Sequence, residues 1–189
     1  RRAILNSALK FPQVDVPMVV CPSLLGGINW NATAYDPGTN TLFTPTNNVC
    51  MDFTVNQFRD RPGRHHGSAR TTRIAAPGFE DAIGQFSAID LRTGEPRWVY
   101  RQRAGIGGSV LTTGGGLVFV SDDARRFRAF NAETGDIEWE QILNSSAGGF
   151  PVSYMHDDVQ YIAIAAGGGV NYRSVTPEVQ QPPRGNTLF

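Results

Sequence analysis

The sequence is almost without lysine: of 17 basic residues only Lys10 is one, and 17 acidic residues cancel the charge to zero. We read the arginine excess as genome composition rather than mechanism. A neutral chain lacks the basic field of a nucleic-acid binder, which argues against that class. No apolar run approaches the roughly 18 to 20 residues of a membrane-spanning helix, so no membrane span is expected. Cysteine is scarce, with Cys21 and Cys50 alone. No Cys-x-x-Cys pair or nearby His completes a zinc site, and no Cys-x-x-Cys-His attaches haem. The opening RRAILNSALKFPQVDVP shows neither an initiator Met nor a signal peptide. We therefore expect that processing removed an N-terminal part or that a longer chain surrounds this one.

What is present describes a folded, loop-rich chain: 189 residues, 40% hydrophobic, 21 Gly and 12 Pro, too apolar for disorder. The two cysteines are either free buried thiols or one disulfide. A disulfide closing that loop would stabilise by roughly 3 to 4 kcal/mol and would imply an oxidising compartment.

Two stretches repeat. FSAIDLRTGEPRWVY begins at Phe86 and FRAFNAETGDIEWEQ at Phe127, an offset of 41 residues. Ala88 matches Ala129, Asp90 matches Asn131, Thr93-Gly94 matches Thr134-Gly135, and Trp98 matches Trp139. Gly107-Gly108 and Gly148-Gly149 keep the same offset. LVFVSD and YIAIAAG are strand-like runs. The Asp/Asn-x-x-Thr-Gly segment is a turn in which Gly supplies positive φ. A period of this length made of short strands is the mark of a β-propeller blade. A Trp recurring once per repeat reads as a structural clamp between blades.

The expected organisation is all-β. Residues 1–24 form an extended leading segment, 25–58 a blade part with AYDPGTNTLFTP as a hairpin, and 59–80 an inserted loop. Residues 81–143 and 144–173 complete further blade strands, and 174–189 are a Pro-rich tail ending on a possible strand. At about 40 residues per blade the chain holds three to four blades, fewer than most propellers need to close. A partner chain or a missing N-terminal part must supply the rest, because open blades leave unpaired strand edges.

LGGINWNATAYDPGTNTLFTPTNNVC supplies the most chemical stretch. Gly26 and Gly27 allow close backbone approach, Asn29 is a bidentate amide and Trp30 a flat face. Together they make either the floor of a planar ligand site or a buried hairpin corner. Asp122-Asp123 and Asp157-Asp158 read as solvated turn acids, and His156 as a turn residue. His65-His66 lie among Arg59, Arg61, Arg64 and Arg70, which reads first as a solvated loop and, as the alternative, as a basic patch for docking an acidic electron acceptor.

CPSLLGGINWNATAYDPGTNTLFTPTNNVCMDF resembles the pyrroloquinoline-quinone (PQQ) dependent alcohol dehydrogenases. So do GGSVLTTGGGLVFVSDDARRFRAFNAETGDIEWEQI and GGFPVSYMHDDVQYIAIAAGGG. The resemblance implies an eight-bladed propeller roughly three times this length, of which the chain is the C-terminal third. It implies a Cys21–Cys50 disulfide and a periplasmic location. It places Asn29 at a polar edge of the quinone with Trp30 beside it. Ile106 falls where relatives have a substrate-facing Trp, and Asn171 replaces another Trp on the cofactor side. Both changes imply an alcohol bulkier or more polar than methanol. The catalytic base and the ligands of the Ca2+ or lanthanide ion would come from blades outside this chain, so no catalytic and no metal-binding residue is expected here. Implied partners are the remaining blades, an alcohol and a cytochrome c acceptor. The competing reading is a non-catalytic propeller scaffold in the bacterial envelope.

Overall fold

The computed structural model describes residues 12–56, 69–168, 172–179 and 185–189. All regular structure among them is β. The chain starts in β1 (Met18–Val20) and makes the hairpin β2 (Ala34–Asp36) and β3 (Thr41–Asn47). It then leaves the blade for β4 (Val49–Val55) and β5 (Ala69–Ala75) and returns as β6 (Gly84–Asp90) and β7 (Pro96–Gln102). The first blade is the four-stranded antiparallel sheet β2-β3-β6-β7, and β1-β4-β5 form a separate side sheet. The second blade is β8 (Leu111–Thr112), β9 (Leu117–Ser121), β10 (Arg126–Asn131) and β11 (Ile137–Ile142).

Two expectations are corrected here. Residues 69–75, expected in an inserted loop, form β5, whose Thr and Ile side chains suit a strand and which pairs with β4 from Val49↔Ala75 to Val55↔Ala69. The stretch 25–58 is not one blade part, because β4 belongs to the side sheet. Residues 57–68 lie outside the described part.

The 41-residue repeat is a structural repeat. The β6–β7 and β10–β11 pairings both shift register at matching places, Ala88/Ile89 and Ala129/Phe130. In the turns, the Gly94 N–H donates to the Asp90 carbonyl at 2.7 Å and the Gly135 N–H to the Asn131 carbonyl at 2.9 Å. Both glycines sit in the left-handed region, at φ 74° and 79°, where glycine alone is unstrained.

Apolar faces of successive blades bury one another. Phe43, Phe86, Ile106, Val118 and Phe130 form the core between the first two. Trp98 joins it, 5.4 Å edge-on to Phe86 and 6.3 Å stacked on Phe130, and its indole N–H donates to the Ala132 carbonyl at 3.0 Å. This is the inter-blade clamp expected from the repeat. A second cluster, with Phe119, Phe127, Leu143 and Ile164, carries the packing onward.

A third blade begins as the hairpin β12 (Val152–His156) and β13 (Val159–Ala163), which follow β8 and β9 at the same period. It is followed by β14 (Ala165–Ala166), paired with β15 (Thr187–Leu188), so the tail does end on a strand. The β12–β13 hairpin pairs with no further strand among the described residues, and Val152, Tyr154, Met155, Val159 and Tyr161 are all exposed. Two blades and part of a third leave the array open.

Candidate functional site

The stretch from Cys21 to Thr33 runs from the side sheet into the first blade and is tied at both ends. Cys21 and Cys50 form a disulfide with Cα atoms 4.4 Å apart. The Ser23 N–H donates to the Val49 carbonyl at 2.8 Å, and the Gly26 N–H to the Ser23 carbonyl at 2.8 Å. Gly26 lies at φ +70°, and a Cβ there would stand 3.1 Å from the Ile28 carbonyl oxygen. Gly27 is different: a Cβ there meets nothing within 4 Å. At the far end, Asn31 Nδ2 donates to the Gly108 carbonyl at 3.1 Å and the Ala32 N–H to Ser109 Oγ at 3.0 Å. The Val110 N–H donates back to the Ala32 carbonyl at 3.0 Å.

Between these anchors Asn29 and Trp30 face outward. Trp30 is 79% exposed, and Asn29 is exposed with no side-chain hydrogen bond among the described residues. An indole can withdraw about 150 to 250 Å² from water on burial, and here most of that is not realised. Within this chain, then, Asn29 and Trp30 are not packed into a buried corner: the loop is tied at both ends, and its tip is uncovered among the described residues.

The supporting segment is close-packed. A Cβ on Gly108 would stand 2.0 Å from Ser121 Oγ and 2.9 Å from the Ser121 backbone nitrogen, so only glycine fits. Ser121 Oγ in turn donates to the Ala147 carbonyl. Ile106, assigned by resemblance to a substrate-pocket wall, is 2% exposed, with its side chain in the core between the blades. Core packing, not an open wall, accounts for an aliphatic residue there. Asn171 lies outside the described residues, as do His65, His66, Arg59, Arg61 and Arg64; Arg70 is exposed on β5.

The reading of Asp122-Asp123 as solvated acids is overturned, since each is 2% exposed. The turn that carries them folds under Gly105 and Tyr172. Asp122 Oδ2 accepts from Arg128 Nη1 at 2.8 Å and from Gln102 Nε2 at 3.0 Å. Arg128, itself 5% exposed, also reaches Glu140 at 2.6 Å and lies over the Tyr100 ring. Burial opposes its charge, but Asp122, Tyr100 and Glu140 outweigh burial and hold the guanidinium above its usual range.

Asp123 has no such partner among the described residues, where neither carboxyl oxygen meets a hydrogen-bonding group. Burial, helped by the neighbouring Asp122 charge, pushes its carboxyl well above the usual range. Tyr172 is pushed up to about 12, by burial first and the Asp123 charge second. A Cβ on Gly105 would lie 2.8 Å from Asp123 Oδ2 and 2.6 Å from the Tyr172 ring, so the three close on one another. Sequence reading missed this cluster; the signal available was an arginine inside an apolar strand, six residues after Asp122. Asp157 and Asp158, in contrast, are exposed at positive φ in the β12–β13 turn, as expected. Among the described residues no three His, Cys, Asp or Glu side chains are grouped to hold a metal ion.

The chain is similar to several known proteins. The family model for the glucose/ethanol/alcohol dehydrogenase β-propeller domain matches residues 80–162. The quinoprotein alcohol dehydrogenase PedH of Pseudomonas putida is 36% identical over 150 residues, covering 79% of this chain and 25% of that protein. The methanol dehydrogenase [cytochrome c] subunit 1 of Methylobacterium organophilum is 32% identical over 154 residues, with the same two coverages. A lanthanide-dependent methanol dehydrogenase of Methylacidiphilum fumariolicum is 28% identical over 152 residues. Among solved structures, a europium-containing methanol dehydrogenase superposes with a TM-score of 0.76 at 27% identity, over 84% of this chain and 28% of that one. The chain spans about a quarter of the length of the curated relatives it matches.

Proposed function

We propose that this chain, a homologue of the quinoprotein alcohol dehydrogenases, forms one wall of a PQQ site in an enzyme whose other blades lie outside it. The observation that carries the reading is the 79% exposure of Trp30 on a loop otherwise locked in place. PQQ is planar with polar edges. An open indole face suits the ring system, and the Asn29 amide, which can donate and accept, suits a carbonyl or carboxylate edge.

When bound, the quinone supplies the redox chemistry, accepting the hydride of an alcohol. Trp30 covers one face of the ring and keeps water off it. Asn29 holds an edge and sets the in-plane orientation. The proton-accepting carboxylate and the acidic ligands of a Ca2+ or lanthanide ion belong to blades outside this chain; relatives named lanthanide-dependent support such an ion. The disulfide suits an oxidising compartment, which supports the periplasm. A cytochrome c acceptor is supported by the relative named for one.

The test is reconstitution of the complete protein with PQQ and Ca2+ or a lanthanide, followed by dye-linked oxidation of a panel of alcohols. Trp30→Ala and Asn29→Ala should each weaken quinone binding by about tenfold or more. Failure to bind quinone, with both variants indistinguishable from the parent, would refute the reading in favour of a cofactor-free scaffold.

A further inference from the structure

We infer that Asn47 is the positioning residue of this site, holding from one point in the first blade both segments that flank Asn29 and Trp30. The inference rests on the quinone-wall reading above. Asn47 ends β3 and is 9% exposed. Its Nδ2 donates to the Ile106 carbonyl at 2.9 Å, and its Oδ1 accepts from the Ile106 N–H at 2.8 Å. Its backbone N–H donates to the Gly27 carbonyl at 2.8 Å.

The side chain thus pairs with Ile106 as a second peptide group would. Only a primary amide of this reach offers a donor and an acceptor side by side. An aspartate keeps the acceptor alone, and an alanine leaves both Ile106 groups buried and unpaired. The Ile106 segment continues into Gly108 and Ser109, whose carbonyl and hydroxyl hold Asn31 and Ala32. Asn47 therefore brackets the exposed tip on both sides, through its backbone at Gly27 and through its side chain and Ile106 at residues 31–32. Asn48 provides an internal contrast. Its Nδ2 donates to the Ala82 carbonyl at 3.1 Å, outside both segments.

The experiment compares Asn47→Ala and Asn48→Ala in the complete protein by peptide-resolved amide hydrogen exchange without quinone, and by equilibrium titration with PQQ. Asn47→Ala should speed exchange about tenfold or more at residues 104–109, with a smaller rise at 25–32, and should raise the PQQ Kd by about tenfold. Asn48→Ala should leave both segments and the Kd unchanged. An even rise across all blades, or none at 104–109, would overturn the inference, as would an unchanged Kd beside loosened segments. If Asn47→Ala does not accumulate folded, Asn47→Asp carries the same test at smaller amplitude. Should the parent protein bind no PQQ, the quinone-wall reading fails, while the exchange pattern still decides whether Asn47 holds the two segments.

Discussion

Trp98 lies against Gly135 of the neighbouring blade so closely that a Cβ at residue 135 would stand 2.6 Å from the indole Cδ2. With the Ala132 carbonyl accepting the indole N–H, ring and turn form a lock between blades. Trp139, one period later, is 47% exposed. It is the same device with no turn of a following blade upon it among the described residues.

Gly135→Ala combines that clash with a left-handed φ of 79°. It should destabilise by about 2–5 kcal/mol. Gly116→Ala, at the same φ with nothing within 4 Å, should cost only about 1–2 kcal/mol. Urea unfolding of the two variants measures the difference, and equal losses would remove the lock from the account.

Breaking the buried Arg128–Asp122 pair strands a charge. Arg128→Met should cost about 3–5 kcal/mol, and adding Asp122→Asn should recover part of the loss. A double-mutant cycle by equilibrium denaturation checks this; strictly additive losses would show that the two groups are not coupled.

Asp123 makes stability depend on pH in an unusual direction for a carboxylate. Its folded form keeps the proton above the range near pH 4 where an unfolded Asp loses it. The contribution is full below about pH 4 and is lost as pH climbs toward the raised folded value. Asp123→Asn cannot ionise, so its stability relative to the parent should improve as pH rises above about 4. Unfolding free energies across that range test it, and a difference that stays constant with pH would contradict it.

The Cys21–Cys50 bond closes a loop of 29 residues that contains β2 and β3. Replacing both cysteines by alanine should cost about 3–4 kcal/mol on the chain-entropy argument. Thermal unfolding of the double variant, beside the parent with and without reductant, measures it; no shift in either comparison would mean that the hydrogen bonds at Ser23 and Gly26 suffice.

Much of the fold was legible because it rests on local chemistry. The 41-residue period, the Thr-Gly turns and the recurring Trp depend on residues a few positions apart, and the structure repeats them down to the bulges at Ala88 and Ala129. The side sheet was not legible, because β4 and β5 flank residues with no pattern of their own. Nor was the burial of Asp122 and Asp123, since two aspartates after a strand look like any turn until Arg128, Gln102 and Tyr172 arrive from elsewhere.

By itself the sequence determined an open all-β array, its period and its clamp, together with the Asn29-Trp30 stretch as the place to look. Tertiary structure decided which side chains are exposed and which are held. Trp30 stands exposed on a loop whose next residues, the Asn31 side chain and the Ala32 backbone, are bonded to residues 77 positions away. Asn47 meets Ile106 across 59. Contacts over such separations leave no periodic trace in the chain, because they are selected by how the blades pack and not by any residue's neighbours in sequence.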